Sequence, residues 1–307
     1  MDDMEKDKAM RSYEQAAAVL PSALRRAALM EPQEYQLRAE EFRLRVGYPM
    51  TILLPEGEVD TGVAVEQGDL ETLCNLATEF SRYAASETLR RGYLSIRGGG
   101  RVGLCGSAVM REDVCANLKD FSSASVRIAR EQRGIGEAVT PRLFRNGRFQ
   151  STLILSPPGG GKTTLLRDLV RCLSKGTEET PGLRVSLADE RGEVAVLYQG
   201  VPQMDVGPRT DVLDSCPKAA AIPMLLRAMN PQIIAVDEIT VREDLRAMAM
   251  AANCGVGLLA TIHAGSVEEL LQKPLYAELL QARVFSLAVL IDYTGGERQY
   301  RVEELPC

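Results

Sequence analysis

One stretch limits what this chain can fold into more than any other: Ile154–Leu166, reading ILSPPGGGKTTLL. An apolar run enters a glycine-rich turn, and Lys162, Thr163 and Thr164 follow at once at the head of a helical segment. The physics is that of phosphate binding. Gly159, Gly160 and Gly161 allow successive backbone N–H groups to point into one concavity. The helix that follows presents its positive end to the same point. Lys162 is placed to reach the β- and γ-phosphates, and the Thr163 hydroxyl to hold Mg²⁺. Ser156 stands where the usual pattern has its first glycine, and serine is small enough to leave the turn intact. The expectation is a Mg-ATP site formed by Ser156, Pro157, Pro158, Gly159, Gly160, Gly161, Lys162, Thr163 and Thr164. A chance glycine turn is the competing reading, and the strand–loop–helix context speaks against it.

Three further strand ends carry chemistry. PQIIAVDEI ends an apolar run on Asp237 and Glu238. Alone this reads as a solvated strand end, but after a phosphate loop in the same domain Asp237 is expected to orient the Mg²⁺ shell. Glu238 is expected to be the general base that polarises the attacking water. RVSLADERGEVA places Asp189, Glu190 and Arg191 at a second strand end, and VGLLATIHAGS places Thr261 and His263 at a third. In an open parallel sheet the ligand crevice lies at the carboxyl ends of the strands, so these groups are expected on one edge with the loop. His263 is the sole histidine of the chain and is expected to sense the γ-phosphate or a water. Arg101, Arg127, Arg130, Arg191, Arg209 and Arg227 are candidates to stabilise phosphate charge, in the same subunit or a neighbour. Arg209, in the loop VGPRTDVLD, and Arg127 and Arg130, ahead of the linker, are the preferred ones.

Around these motifs the chain changes character midway. Residues 11–30 have helical composition broken at Pro21, and EFRLRVGYPMTILLP alternates as strand, turn, strand. Asp69–Arg91 reads as a helix capped by Asp69. GYLSIRGGGRVGLCGSAV reads as a hairpin turning at Gly98–Gly100, and SASVRIARE as one more short strand. After Arg148 short apolar runs (STLILS, RVSLA, QIIAV, VGLLATI, FSLAVLID) alternate with helical stretches over Thr163–Leu173, Cys216–Met229 and Val241–Ala252. That is the pattern of a parallel sheet covered on both faces. Glycines and Pro141 cluster between Gly134 and Phe149. The expected division is therefore an N-terminal α+β domain over 1–140 and an α/β domain over 141–307.

Bulk properties exclude several classes. A net charge of -6 over 307 residues gives no support to a nucleic-acid coat, so no nucleic-acid partner is expected. The seven cysteines form no C-x-x-C pair, which argues against a tetrathiolate zinc site and for reduced thiols. The charged start MDDMEKDKAM is not a secretory signal. The apolar stretch from Ala219 to Val236 is interrupted by Pro223, Arg227 and Pro231, so no direct membrane insertion is expected.

Ordered blocks along the chain carry a resemblance. FRLRVGYP, GGGRVGLCGSAV, SSASVRIARE, SPPGGGKTTLLRDL, DERGEVA, VGPRTDVLD, LLRAMNPQIIAVDEI and LLATIHAGS together resemble the stage III sporulation protein AA family of endospore-forming bacteria. The second half is also similar to the ATPases of type II and type IV secretion. The resemblance implies a RecA-like P-loop core and nucleotide held between two domains. It implies a homo-oligomeric, hexameric ring and a membrane-embedded channel component as partner, with the protein in the mother-cell cytoplasm and reaching the membrane through that partner. It places DERGE, with Glu190, at an acidic box and ATIHA, with His263, at a histidine box. The implied activity is ATP hydrolysis powering a secretion-like channel between mother cell and forespore. Two other readings stay open: a nucleic-acid-binding P-loop ATPase, and a nucleotide-binding scaffold, for which a base beside Asp237 would have no use.

Overall fold

A computed structural model describes residues 3–79, 92–111, 114–177, 180–294 and 297–305. The chain divides into two compact units, one of residues 1–130 with Leu197–Gln203, the other of 131–196 with 204–307. The expected 140/141 boundary lies inside the second unit, in a 3-10 turn at Thr140–Leu143.

In the first unit α1 (Asp3–Ala17), α2 (Ser22–Met30) and α3 (Gln33–Arg38) precede β1 (Glu41–Arg45), β2 (Pro49–Leu54) and β3 (Gly57–Ala64). Then come α4 (Gln67–Ala77), β4 (Tyr93–Ser95), β5 (Arg101–Arg111) and β6 (Val114–Arg127). The strands form one antiparallel sheet in the order β3-β2-β1-β6-β5-β4. On β2 the alternation is strict, with Met50, Ile52 and Leu54 turned into the core. Tyr13 of α1 packs edge-on to Phe42 of β1, centroids 5.1 Å apart, and its hydroxyl donates to Ala28 O at 2.7 Å.

Local chemistry explains where the expectations and the structure differ. Pro21 does separate two helices, because it lacks the N–H an interior turn needs. The helix expected from Asp69 starts two residues earlier. Glu66 is the N-cap, and Asp69 is its capping-box partner, accepting from Glu66 N at 2.8 Å. Residues 80–91 of that expected helix lie outside the described residues. SASVRIARE is no separate strand; its first half is the end of β6, hydrogen-bonded to β1 and β5 at once. Gly98–Gly100 turns between β4 and β5 as read.

The second unit opens with the small hairpin of β7 (Phe144–Arg145) and β8 (Arg148–Phe149), then β9 (Thr152–Ser156), α5 (Lys162–Lys175) and β10 (Val185–Asp189). The hairpin of β11 (Leu197–Tyr198) and β12 (Val201–Pro202) interrupts it and belongs to the first unit. There Tyr198 Oη and Gln199 Nε2 donate to Glu79, and Gly98 N donates to Gln203 Oε1 at 2.8 Å. The second unit resumes with β13 (Thr210–Asp214), α6 (Lys218–Met229), β14 (Ile233–Val236), α7 (Arg242–Asn253) and β15 (Gly257–His263). It closes with α8 (Val267–Gln272), α9 (Pro274–Gln281), β16 (Leu287–Thr294) and β17 (Glu297–Glu304).

Its sheet runs β13-β10-β14-β15-β9-β16-β17, parallel as far as β16, with β17 antiparallel on the edge. β9, β10 and β14 are buried along their whole length, which is why each reads as an unbroken apolar run. The two edge strands, TDVLD and ERQYRVEE, were not foreseen as strands. An edge strand is held by main-chain pairing on one side and needs no apolar run. Because β9, β10, β14 and β15 are parallel, their carboxyl ends share one edge. No helix among the described residues is long and apolar enough to cross a membrane.

Candidate functional site

The turn after β9 is shaped by its glycines. Gly161 has φ +97° and is the N-cap of α5, with no side chain capping the helix start. The first amides of α5 therefore remain available to an anion. A Cβ on Gly160 would sit 1.6 Å from Ser156 Oγ, so the serine fills the space that a side chain at 160 would need. Ser156 Oγ itself donates to Pro157 O at 3.1 Å. Lys162 is 6% exposed and folds back over the loop, donating to Ser156 O at 2.7 Å and Pro157 O at 2.9 Å. Burial pulls its pKa below the ordinary lysine value, and the carboxylates of Glu238 and Asp237 pull it back up.

The third contact of Lys162 leads across the sheet. Its Nζ lies 2.7 Å from His263 Nδ1. An ammonium only donates, so Nδ1 accepts and the ring proton sits on Nε2. Nε2 is 2.8 Å from Glu238 Oε1, and Glu238 Oε2 accepts from Arg191 Nη1 at 2.7 Å. A second chain of bonds runs beside the first. Thr163 Oγ1 donates to Asp237 Oδ2 at 2.9 Å, Thr261 Oγ1 donates to Asp237 Oδ1 at 2.8 Å, and Glu238 N donates to Thr261 Oγ1 at 2.8 Å.

Topology makes this meeting possible. β15 lies between β14 and β9, with Val236 opposite Ala260 and His263 opposite Ser156. Thr261 and His263 thus stand between the end of β14, with Asp237 and Glu238, and the phosphate loop. Thr163 and Asp237 bring two hard oxygen donors together, and no group of three or more His, Cys, Asp or Glu among the described residues could form a metal cage. That donor set fits Mg²⁺, which takes one or two protein oxygens and keeps water and phosphate for the rest.

The remaining strand-end residues do different work. Asp189 is 1% exposed, and its carboxylate accepts from the N–H groups of Glu193, Val194 and Ala195. Burial raises its pKa and these three donors lower it. It shapes the loop that carries Arg191, with Arg167 of α5 donating to Glu193 O and Val194 O from below. Glu190 pairs with Lys218, which is buried in the first turn of α6.

Of the preferred arginines, Arg209 shares a unit with the loop and is not brought to it. Arg209 donates to Ser174 O and Lys175 O, at the far end of α5 from Lys162. Arg127 and Arg130 belong to the first unit. Arg127 pairs with Glu41 at 3.0 Å, and Arg130 donates to the carbonyls of Ala9, Gln36 and Ala39. Arg191 does reach the site, through Glu238. The sequence places Thr261 at a strand end without assigning it a role, and it holds no signal for Lys218 or for Arg298 of β17, which lies against Gly161. A threonine in an apolar strand reads as a strand former, and no motif surrounds Arg298.

The family model for sporulation stage III, protein AA, matches residues 10–302. Stage III sporulation protein AA of Bacillus subtilis is 37% identical over 269 residues, covering 88% of this chain and 87% of that protein. Among solved structures, the pilus retraction motor PilT with bound ADP superposes with a TM-score of 0.59 at 15% identity, over 87% of this chain and 79% of that one. The ATPase DotB of Legionella pneumophila superposes with a TM-score of 0.57 at 14% identity, over 86% and 76%. Likeness at these identities is one of fold: a RecA-like P-loop domain with a smaller α+β domain before it.

Proposed function

The chain belongs to the sporulation stage III protein AA family, and on that premise we propose that it is a Mg-ATP-hydrolysing motor powering a secretion-like channel between mother cell and forespore. The observation that carries the reading is one hydrogen-bonded network joining Lys162, Thr163, Asp237, Glu238 and His263 at the head of an uncapped helix. The loop amides and Lys162 bind the phosphate chain, and an entering phosphate oxygen takes the place of an acceptor now bonded to Lys162. Thr163 and Asp237 would hold Mg²⁺, which would supply positive charge against the phosphate oxygens. Glu238, released by His263 or Arg191, accepts the proton of the attacking water. His263 touches both Lys162 and Glu238 and so registers whether a γ-phosphate lies between them. Glu190 acts indirectly, through Lys218. Arg209 would have to serve a neighbouring subunit's nucleotide.

By likeness of fold to a pilus retraction motor and a bacterial ATPase, the working form is a homo-oligomeric ring, a hexamer. It stands in the mother-cell cytoplasm and reaches the membrane through an embedded channel component. Two variants test the chemistry. Lys162→Ala is expected to lose tight ATP binding in calorimetry; unchanged affinity would misplace the phosphate site. Glu238→Gln is expected to bind ATP normally and hydrolyse it about a hundredfold or more slower. Turnover equal to the parent would remove Glu238 as the base.

A further inference from the structure

β9 has unlike neighbours on its two sides. On one side lies β15 with His263, and beyond it the end of β14 with Asp237 and Glu238. On the other lie β16 and β17, with Arg298 on β17 opposite Tyr293. Arg298 reaches back over β16 to the phosphate loop. A Cβ built on Gly161 would lie 3.1 Å from Arg298 Nε and 3.3 Å from its Cζ. The guanidinium therefore rests against the backbone of the last loop glycine, and Arg298 Nη1 donates to Gln132 Oε1 at 3.4 Å.

These two sides orient whatever the loop binds. This step rests on the nucleotide reading above. If the γ-phosphate faces Glu238 and His263, the rest of the phosphate chain runs toward β16 and β17. Arg298 is a positive group there, with planar donors suited to phosphate oxygens and a face suited to stacking. We propose that Arg298 holds the α-phosphate end of the nucleotide, the part that ATP and ADP share, and so sets affinity for both. It is a binding residue and takes no part in proton transfer. Gly161 itself is required for its left-handed φ of +97°.

The test is titration of the full chain with ATP and with ADP, beside steady-state hydrolysis. Arg298→Ala is expected to weaken both nucleotides by roughly tenfold, the weight of one charge-assisted hydrogen bond, with kcat unchanged. Arg298→Lys keeps the charge but loses the planar fork and is expected to fall between. Arg301→Ala, on the same strand and paired with Asp292 and Glu303, is expected to match the parent. A loss confined to ATP, or a loss in kcat alone, would overturn the assignment, as would affinities equal to the parent's. A parent chain that binds neither nucleotide would overturn the phosphate-loop reading as well.

Discussion

Glu238 has a φ of +46°, in the left-handed region that a residue with a Cβ seldom enters. Such a conformation costs on the order of 1–3 kcal/mol and persists only where neighbours enforce it. Here Thr261 does so: its hydroxyl accepts from Glu238 N and donates to Asp237, one oxygen holding the Glu238 backbone and the Asp237 carboxylate. Thr261→Val keeps the volume and removes the hydroxyl. It is expected to lower kcat by about 10- to 100-fold, the usual cost of losing a group that orients a metal ligand, while ADP affinity holds. A kcat equal to the parent's would show that Asp237 and Glu238 are positioned by other means. The acidity of Asp237–Glu238 was plain in the sequence, but the part played by Thr261 was not. A hydroxyl in an apolar strand shows its use only when its neighbours across the sheet are known.

The helix after the phosphate loop, α5, is buried nearly all round. Leu165, Leu166, Leu169 and Leu173 form its apolar face, within the helical stretch expected over Thr163–Leu173. Arg167, Asp168 and Arg171 are also buried, and spacing alone would have put them in solvent. Asp168 accounts for part of this, accepting from Arg171 Nε at 2.6 Å and from Gly136 N at 2.7 Å. Asp168→Ala strands a buried guanidinium and a buried amide. It is expected to destabilise the fold by about 3 kcal/mol, read from denaturant unfolding. A loss under about 1 kcal/mol, the range of an exposed pair, would mean that Glu137 alone satisfies Arg171. The same helix explains Arg209. α5 has 14 residues, and at about 1.5 Å of rise per residue its two ends lie roughly 20 Å apart. Arg209 is bonded to the end away from the loop.

At the level of the assembled protein, Arg209, Arg127 and Arg130 matter differently. Arg127 and Arg130 are engaged within the first unit, and Arg209 stands at the remote end of α5. For Arg209 to serve a nucleotide, that nucleotide has to lie in a neighbouring subunit. Oligomerisation should then respond to nucleotide. The Glu238→Gln chain, which binds ATP without consuming it, is expected to form a larger species in light scattering with ATP than without. A monomer under both conditions at high micromolar concentration would count against the ring. The interleaved hairpin at Leu197–Gln203 was not foreseen, since the change of unit is written in no local pattern.

Residues 154–166, the five apolar strand runs and the strand-terminal carboxylates were readable because they are local. A glycine turn, an apolar run and a helix start each follow from neighbours a few residues away. What needed the folded chain was every relation across strands. The insertion of β15 between β14 and β9 sets His263 between Lys162 and Glu238. The pairing of β16 with β9 brings Arg298 of β17 to Gly161. Strand order is set by how the two faces of a sheet bury their apolar area against helices, a balance summed over the whole domain. The phosphate loop could be read residue by residue, while the company it keeps is a property of the sheet.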